Sequence, residues 1–274
     1  MKLLISADME GITGVMHWDQ VTPGHLEYER FRKLMTGDVN AAIRGALDAG
    51  VEEVVVTDGH WFGYNILVEE LDARARLVSG TGGPLGMVQG VSSGVDAAFF
   101  IGYHARAGSQ NAILDHTWSS SRVHNVWLNG SLVGETGLDA MVCGYYNVPL
   151  ILLSGDQTVA AEAEGMFPGI VTAVVKTASG RMSAECLPPE ESEQLIYSQA
   201  YAAIHNLHTG TVPAPFKPDA PLELKVELAT SDLADKAAFL PGAERLDGRT
   251  FRLTAEDALA LYQKFVGLIS LTRA

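Results

Sequence analysis

Three apolar segments of this 274-residue chain end in residue types that bind metals. Asp8 and Glu10 follow Lys2–Ala7, Asp58 and His60 follow the run from Glu53 to Thr57, and His104 closes the run from Ala97 to Tyr103. A single carboxylate after a strand commonly caps a helix or forms a turn. A single loop histidine is commonly a satisfied polar group. The set reads differently, because ligands of open α/β sheets bind in the crevice outside the carboxyl ends of the strands. A fourth segment, Gly134-Glu135-Thr136-Gly137, adds Glu135, which equally suits the first turn of a helix, where the dipole favours it. If Asp8 bridges two ions while Glu10, His60, His104 and Glu135 each bind one, the chain makes six metal bonds. One shared hydroxide adds a bond to each ion, filling two tetrahedral sites of the kind catalytic zinc adopts. Mixed imidazole and carboxylate donors suit zinc, with manganese or cobalt as substitutes.

Amide hydrolysis at such a pair also needs a proton donor for the leaving amine. His116 is the candidate, with Asp115 beside it as a group that orients it. His124, within the strand-like Val123 to Leu128, is a second histidine for substrate contact and equally suits a solvent-facing strand position. Arg106, two residues past His104, offers a planar fork for a substrate carboxylate and equally suits surface packing. Asp58 is placed to accept from the free N–H of a ligating histidine.

The elements that must hold these residues alternate. Lys2–Ala7, Glu53 to Thr57, Ala97 to Tyr103 and Leu150 to Ser154 are short apolar runs of the kind buried on both sheet faces. Between them lie helical stretches from about Leu26 to Ala49 and from about Asp156 to Phe167. Alternation of this kind predicts an α/β fold with a largely parallel sheet flanked by helices. Asn129-Gly130 predicts a hairpin at the edge of the sheet. Another helix spans Pro188 to Asn206, and four prolines between Thr211 and Pro221 mark a linker. A strand at Leu222 to Leu228 and a helix at Ala255 to Ile269 complete the chain. The expected organisation is a metal-binding catalytic domain at 1–210, a proline-rich linker at 211–221 and a small C-terminal α+β subdomain at 222–274.

Bulk composition narrows the function. Thirty-three acidic against 19 basic residues give a net charge of −14, which argues against nucleic acid and anionic membranes as partners. Neither a signal-peptide core nor a membrane-length apolar run is present in the sequence, and Cys143 and Cys186 show no paired spacing. The expected compartment is the cytoplasm, with free thiols.

The motifs, taken in order, resemble those of the D-aminopeptidase family of metallopeptidases, the DppA-like enzymes of dipeptide-transport operons. The resemblance is carried by ADMEGITG at Ala7 to Gly14, YERFRKLMT at Tyr28 to Thr36, TDGH at Thr57 to His60 and IGYHARAG at Ile101 to Gly108. LDHT at Leu114 to Thr117, GETGLDA at Gly134 to Ala140, PLILLSGD ending at Asp156 and VVK at Val174 to Lys176 continue it through nearly the whole chain. The resemblance implies a dinuclear zinc peptidase, two Zn2+ per subunit, that removes the N-terminal residue from short peptides. It implies Asp8 as the bridge, Glu10, His60, His104 and Glu135 as the other ligands, and His116 as the catalytic histidine, proposed in the family as a nucleophile; general acid/base work is the alternative. It also implies a ring-like homo-oligomer. D-residue selectivity comes from pocket shape, which the ligands do not encode. A two-metal phosphoesterase and a non-catalytic peptide-binding protein remain the competing readings.

Overall fold

A computed structural model describes residues 1–273. In chain order its elements are β1 (Lys2–Ala7), α1 (Tyr28–Asp48), β2 (Glu53–Asp58), β3 (Ala75–Val78) and β4 (Ala97–Ile101). There follow β5 (Val123–Leu128), β6 (Ser131–Leu132), α2 (Glu135–Tyr145), β7 (Leu150–Asp156), α3 (Gln157–Met166), β8 (Val171–Gly180) and β9 (Ser183–Cys186). The last third holds α4 (Pro189–Thr209), β10 (Leu222–Leu228), α5 (Ser231–Ala237), β11 (Glu244–Arg245), β12 (Thr250–Ala255) and α6 (Ala258–Leu271).

The α/β expectation is met by a seven-stranded sheet in the order β3-β2-β1-β4-β7-β8-β9, parallel except for its β8–β9 edge. β1 lies between β2 and β4, with Ala7 level with Asp58 on one side and with Ile101 on the other. That register brings three ligand-bearing loops out at one height. β1 shows why both faces must be covered. Leu3, Ile5 and Ala7 enter the core formed with α1 and α4, while Leu4 enters a second core with Leu138, Phe251 and Phe265. Burying apolar side chains on both faces drives this layering, at roughly 25 cal/mol per Å² of apolar surface. α1 and α4 approach closely at Gly45, where a Cβ would collide with the carbonyl of Tyr197.

The hairpin forms as its Asn-Gly turn predicts, but it does not lie at the edge of the main sheet. β5 pairs with β10, giving a second, antiparallel sheet in the order β11-β12-β10-β5-β6. β10 alternates buried and half-buried residues along its length, as a strand with one face in a core should. The C-terminal segment therefore shares its sheet with a hairpin from the middle of the chain.

Candidate metal centre

The first ligand loop leaves β1 and turns across β4. Asp8 N–H donates to the Ile101 carbonyl at 2.8 Å, and Gly11 N–H to the Gly102 carbonyl at 2.7 Å. The two loops touch because each carries a glycine at the contact: a Cβ on Gly11 would strike the Tyr103 carbonyl, and one on Gly102 the Asp8 carbonyl. Gly102 also has φ +76°, a conformation glycine adopts without penalty.

Above this contact the five expected ligands converge. Asp8 divides its carboxylate between two groups. Its Oδ1 lies 3.1 Å from His60 Nδ1, which is also 3.1 Å from Glu10 Oε2. Its Oδ2 lies 3.4 Å from His104 Nε2, which is 3.1 Å from Glu135 Oε1. All five residues are buried, none more than 5 % exposed. His116 joins them, its Nε2 3.7 Å from Glu135 Oε1 and 4.0 Å from Glu10 Oε1, its ring stacked on that of His104 at 3.9 Å.

Backbone carbonyls decide which ring nitrogen of each histidine faces the cluster. His60 uses Nε2 on the Val21 carbonyl at 2.7 Å, leaving Nδ1 inward. His104 uses Nδ1 on the Ala105 carbonyl at 3.0 Å, and His116 uses Nδ1 on the Leu114 carbonyl at 2.8 Å. Both thereby turn Nε2 inward. Such carbonyl partners fix tautomer and ring orientation at metal-binding histidines. The loop carrying His116 is held tightly: Ile113 N–H donates to the Asp156 carboxylate at 2.7 Å, and Leu114 and Trp118 adopt φ +49° and +65°. Left-handed backbone at non-glycine residues costs about 1–3 kcal/mol each and clusters at functional sites.

Whether this set suits a metal is answered by its unsatisfied atoms. Asp8 Oδ2, Glu10 Oε2 and His104 Nε2 are buried with no well-directed hydrogen bond, the 3.1 Å approaches of Glu10 to His60 and of His104 to Glu135 being ion-pair contacts without hydrogen-bond geometry. Buried polar atoms are almost always paired, so three orphans facing one another call for a cation. Donor atoms of Asp8, Glu10 and His104, and those of His104, His116 and Glu135, each lie within 4.8 Å of one another. Imidazole with carboxylate is a zinc-type donor set.

The chain matches the D-aminopeptidase family model over residues 1–266. The chain belongs to the D-aminopeptidase family. As a member it is a peptide-bond hydrolase of the aminopeptidase class. It is 37% identical over 272 residues to the D-aminopeptidase of Bacillus subtilis (strain 168), covering 99% of this chain and 97% of that one. Among solved structures it is similar to the Zn-dependent D-aminopeptidase DppA from Bacillus subtilis, described as a self-compartmentalizing protease. The TM-score is 0.94 at 36% identity, with 99% of this chain and 98% of that chain covered.

Electrostatics in this family member follow from burial and mutual proximity. Burial and the Glu10 charge push the Asp8 carboxyl up to about 7. Burial acts the same way on Glu10, but His60 and His116 outweigh it and hold Glu10 well below its ordinary range. Burial depresses His60 and His104, yet neighbouring carboxylates hold both well above theirs. Without a cation, the histidines carry the protons that metal binding releases. His116 goes the other way, lowered by burial and by His104.

Two expected contacts are corrected. Asp58 accepts no bond from a histidine ring; it takes Asn65 N–H at 2.6 Å, Asn65 Nδ2 at 2.7 Å and Ile66 N–H at 2.8 Å. It braces the loop beyond His60, and Asn65 passes that support on by donating to the His60 carbonyl at 2.6 Å. Asp115 does not orient His116, because adjacent side chains diverge. It accepts from Arg181 Nε at 2.8 Å and Gly108 N–H at 2.7 Å. Arg106 bends onto its own loop, donating to the Ala107 carbonyl at 3.1 Å, with Glu162 3.9 Å away. His124 is exposed on β5 and joins none of the ion pairs of the cluster.

Several contributors carried no local signal in the sequence. Trp18 packs its edge on His116 at 5.5 Å, and Val21 and Leu114 act through their carbonyls. Lys176 did leave a trace, as the last residue of the VVK motif at Val174 to Lys176.

Proposed function

We propose that the cluster holds two zinc ions and that the enzyme removes N-terminal D-residues from short peptides. The observation that carries this reading is the divided carboxylate of Asp8, with one oxygen facing His60 and Glu10 and the other facing His104 and Glu135. Asp8 would bridge, and those four residues would complete the two sites. Zinc, when bound there, supplies Lewis acidity that polarises the scissile carbonyl and makes water more acidic. His116 does the proton work. Its Nε2 takes the proton from the attacking water and returns it to the leaving amine, while the Leu114 carbonyl keeps Nδ1 protonated and the ring in place. Packing of Trp18 and His104 against the ring limits its rotation.

D-selectivity is supported by the name of the Bacillus relative, and self-association by that enzyme's self-compartmentalizing character. Leu26 at 99% and Phe239 at 82% exposure also favour an assembly that covers them; light scattering that reads a monomer would sink it. The free Cys143 and Cys186 support a cytoplasmic location, and no helix among the described residues is long and apolar enough to cross a membrane. A phosphoesterase is disfavoured because Lys176, the buried lysine of the described residues, spends its protons on backbone carbonyls.

The test is elemental mass spectrometry on untagged protein purified without chelators, followed by D- and L-dipeptide hydrolysis. We expect about two zinc equivalents, a sharp loss in Glu10→Ala and His104→Ala, and faster release of D- than of L-residues. A chain that neither retains nor takes up zinc overturns the reading.

A further inference from the structure

Lys176 lies within β8, directly beside Asp156 in the β7–β8 register, and is 1% exposed. Its Nζ donates to the carbonyls of Glu10 at 2.6 Å, Ile12 at 2.8 Å and Val15 at 2.7 Å. All three ammonium protons are therefore spent on one turn, the turn that carries the Glu10 side chain into the metal centre. We propose that Lys176 is a positioning residue for that centre, an internal cation around which the ligand loop from Asp8 to Val15 folds. The inference rests on the zinc reading above.

Burying an ammonium is unfavourable unless its hydrogen bonds are replaced, and here all of them go to the ligand loop. The loop needs it equally. Its N–H groups are met without the ammonium: Asp8 and Gly11 donate to β4 and the residue after it, Ile12 and Val15 to the Met9 and Ile12 carbonyls of the loop itself, and Thr13 N–H and hydroxyl to Asp38 at 3.0 Å. Three of its carbonyls point inward to Lys176; that of Ile12 also accepts from Val15 N–H at 3.1 Å, whereas those of Glu10 and Val15 have Lys176 as their donor. A buried acceptor without a partner is costly, so removing the ammonium leaves the turn free to reorganise toward other donors. Glu10 would move with it, since its own carbonyl is one of the three. The planar fork of arginine does not match three converging acceptors, whereas a rotatable ammonium does.

The experiment is zinc affinity, read by competition with a chromophoric chelator, in the full chain and in Lys176→Met, with circular dichroism to show that the variant folds. We expect folded variant to bind zinc roughly 10–100-fold more weakly, the range for lost partners behind metal ligands. A purely structural role would lower thermal stability and leave the zinc affinity of folded protein unchanged, and that result overturns the proposal. Should the variant not fold, wild-type protein labelled with 15N-lysine gives the second readout. We expect one ammonium resonance protected from exchange, shifting as zinc is removed and restored; its absence, or its indifference to zinc, overturns the proposal. Wild-type protein that binds no zinc sinks the zinc reading as well, whereas wild-type binding matched by folded Lys176→Met sinks this inference alone.

Discussion

His116 shows how little of a residue's task lies in its own side chain. Its inward nitrogen is chosen by a carbonyl two residues back, and its ring plane by His104 and Trp18. Because the proposed sites are filled by Asp8, Glu10, His60, His104 and Glu135 without it, we expect His116→Ala to lower kcat by roughly 10²–10⁴-fold while zinc content stays at the wild-type level. Parallel loss of zinc and activity in that variant would make it a ligand instead. The identities of the clustered residues were legible in the sequence, because metal ligands are restricted to few residue types and strand ends are recognisable. Orientations were not. Asp58 and Asp115 sit beside the right histidines in sequence, yet their carboxylates serve Asn65 and Arg181, a choice made by loop geometry that spacing does not record.

At the scale of elements, the turn between β1 and α1 is braced by Asp38, which α1 delivers to Thr13. Burial pushes the Asp38 carboxyl up to about 7, against the pull of Thr13's donors and of Lys176 and with the help of Glu193. In the unfolded chain the same group ionises near 3.8. Between these values the folded state holds the extra proton, so this group's contribution to stability falls as pH rises through that window. The slope reaches at most about 1.4 kcal/mol per pH unit. Asp38→Asn removes the term. Denaturant unfolding at pH 5 and pH 8 should show the variant gaining on the wild type at the higher pH; an unchanged difference would mean that Asp38 is already ionised at pH 5. The buried parallel strands could be read directly from their continuous apolar runs. β3 could not, since ARLV is only half buried, nor could β8 and β9, whose polar residues break the pattern. The pairing of β5 with β10 joins residues roughly a hundred positions apart, and no local pattern specifies it.

Across the whole molecule, the core that holds Leu4 meets the candidate metal centre through Asp139. This fully buried carboxyl of α2 accepts from the Tyr103 hydroxyl at 3.0 Å and, more weakly, from Tyr262 of α6 at 3.3 Å. Tyr103 also bonds Ser6 of β1 at 2.7 Å and immediately precedes His104. Burial, with the Glu135 charge one turn away, pushes Asp139 well above its ordinary value and so favours its neutral form. A neutral amide should therefore replace it cheaply. We expect Asp139→Asn to unfold within about 1 kcal/mol of the wild type and Asp139→Leu to lose about 1–3 kcal/mol, the cost of stranding buried hydroxyls. Equal losses in thermal unfolding would show that a charge, and not a hydrogen-bonding shape, is needed there.

The place of Lys176 in the chain sets an order of assembly. Of the proposed ligands, Asp8 and Glu10 are synthesised first and Glu135 last. The interior strand β1 waits for β4 to cover its open side, and the carbonyls of the turn after it wait longer still. A nascent chain released at residue 170 would own every proposed metal ligand and still lack the ammonium that closes the turn. The centre is thus completed by a residue that arrives after its last ligand, which ties the finished site to a nearly finished main sheet.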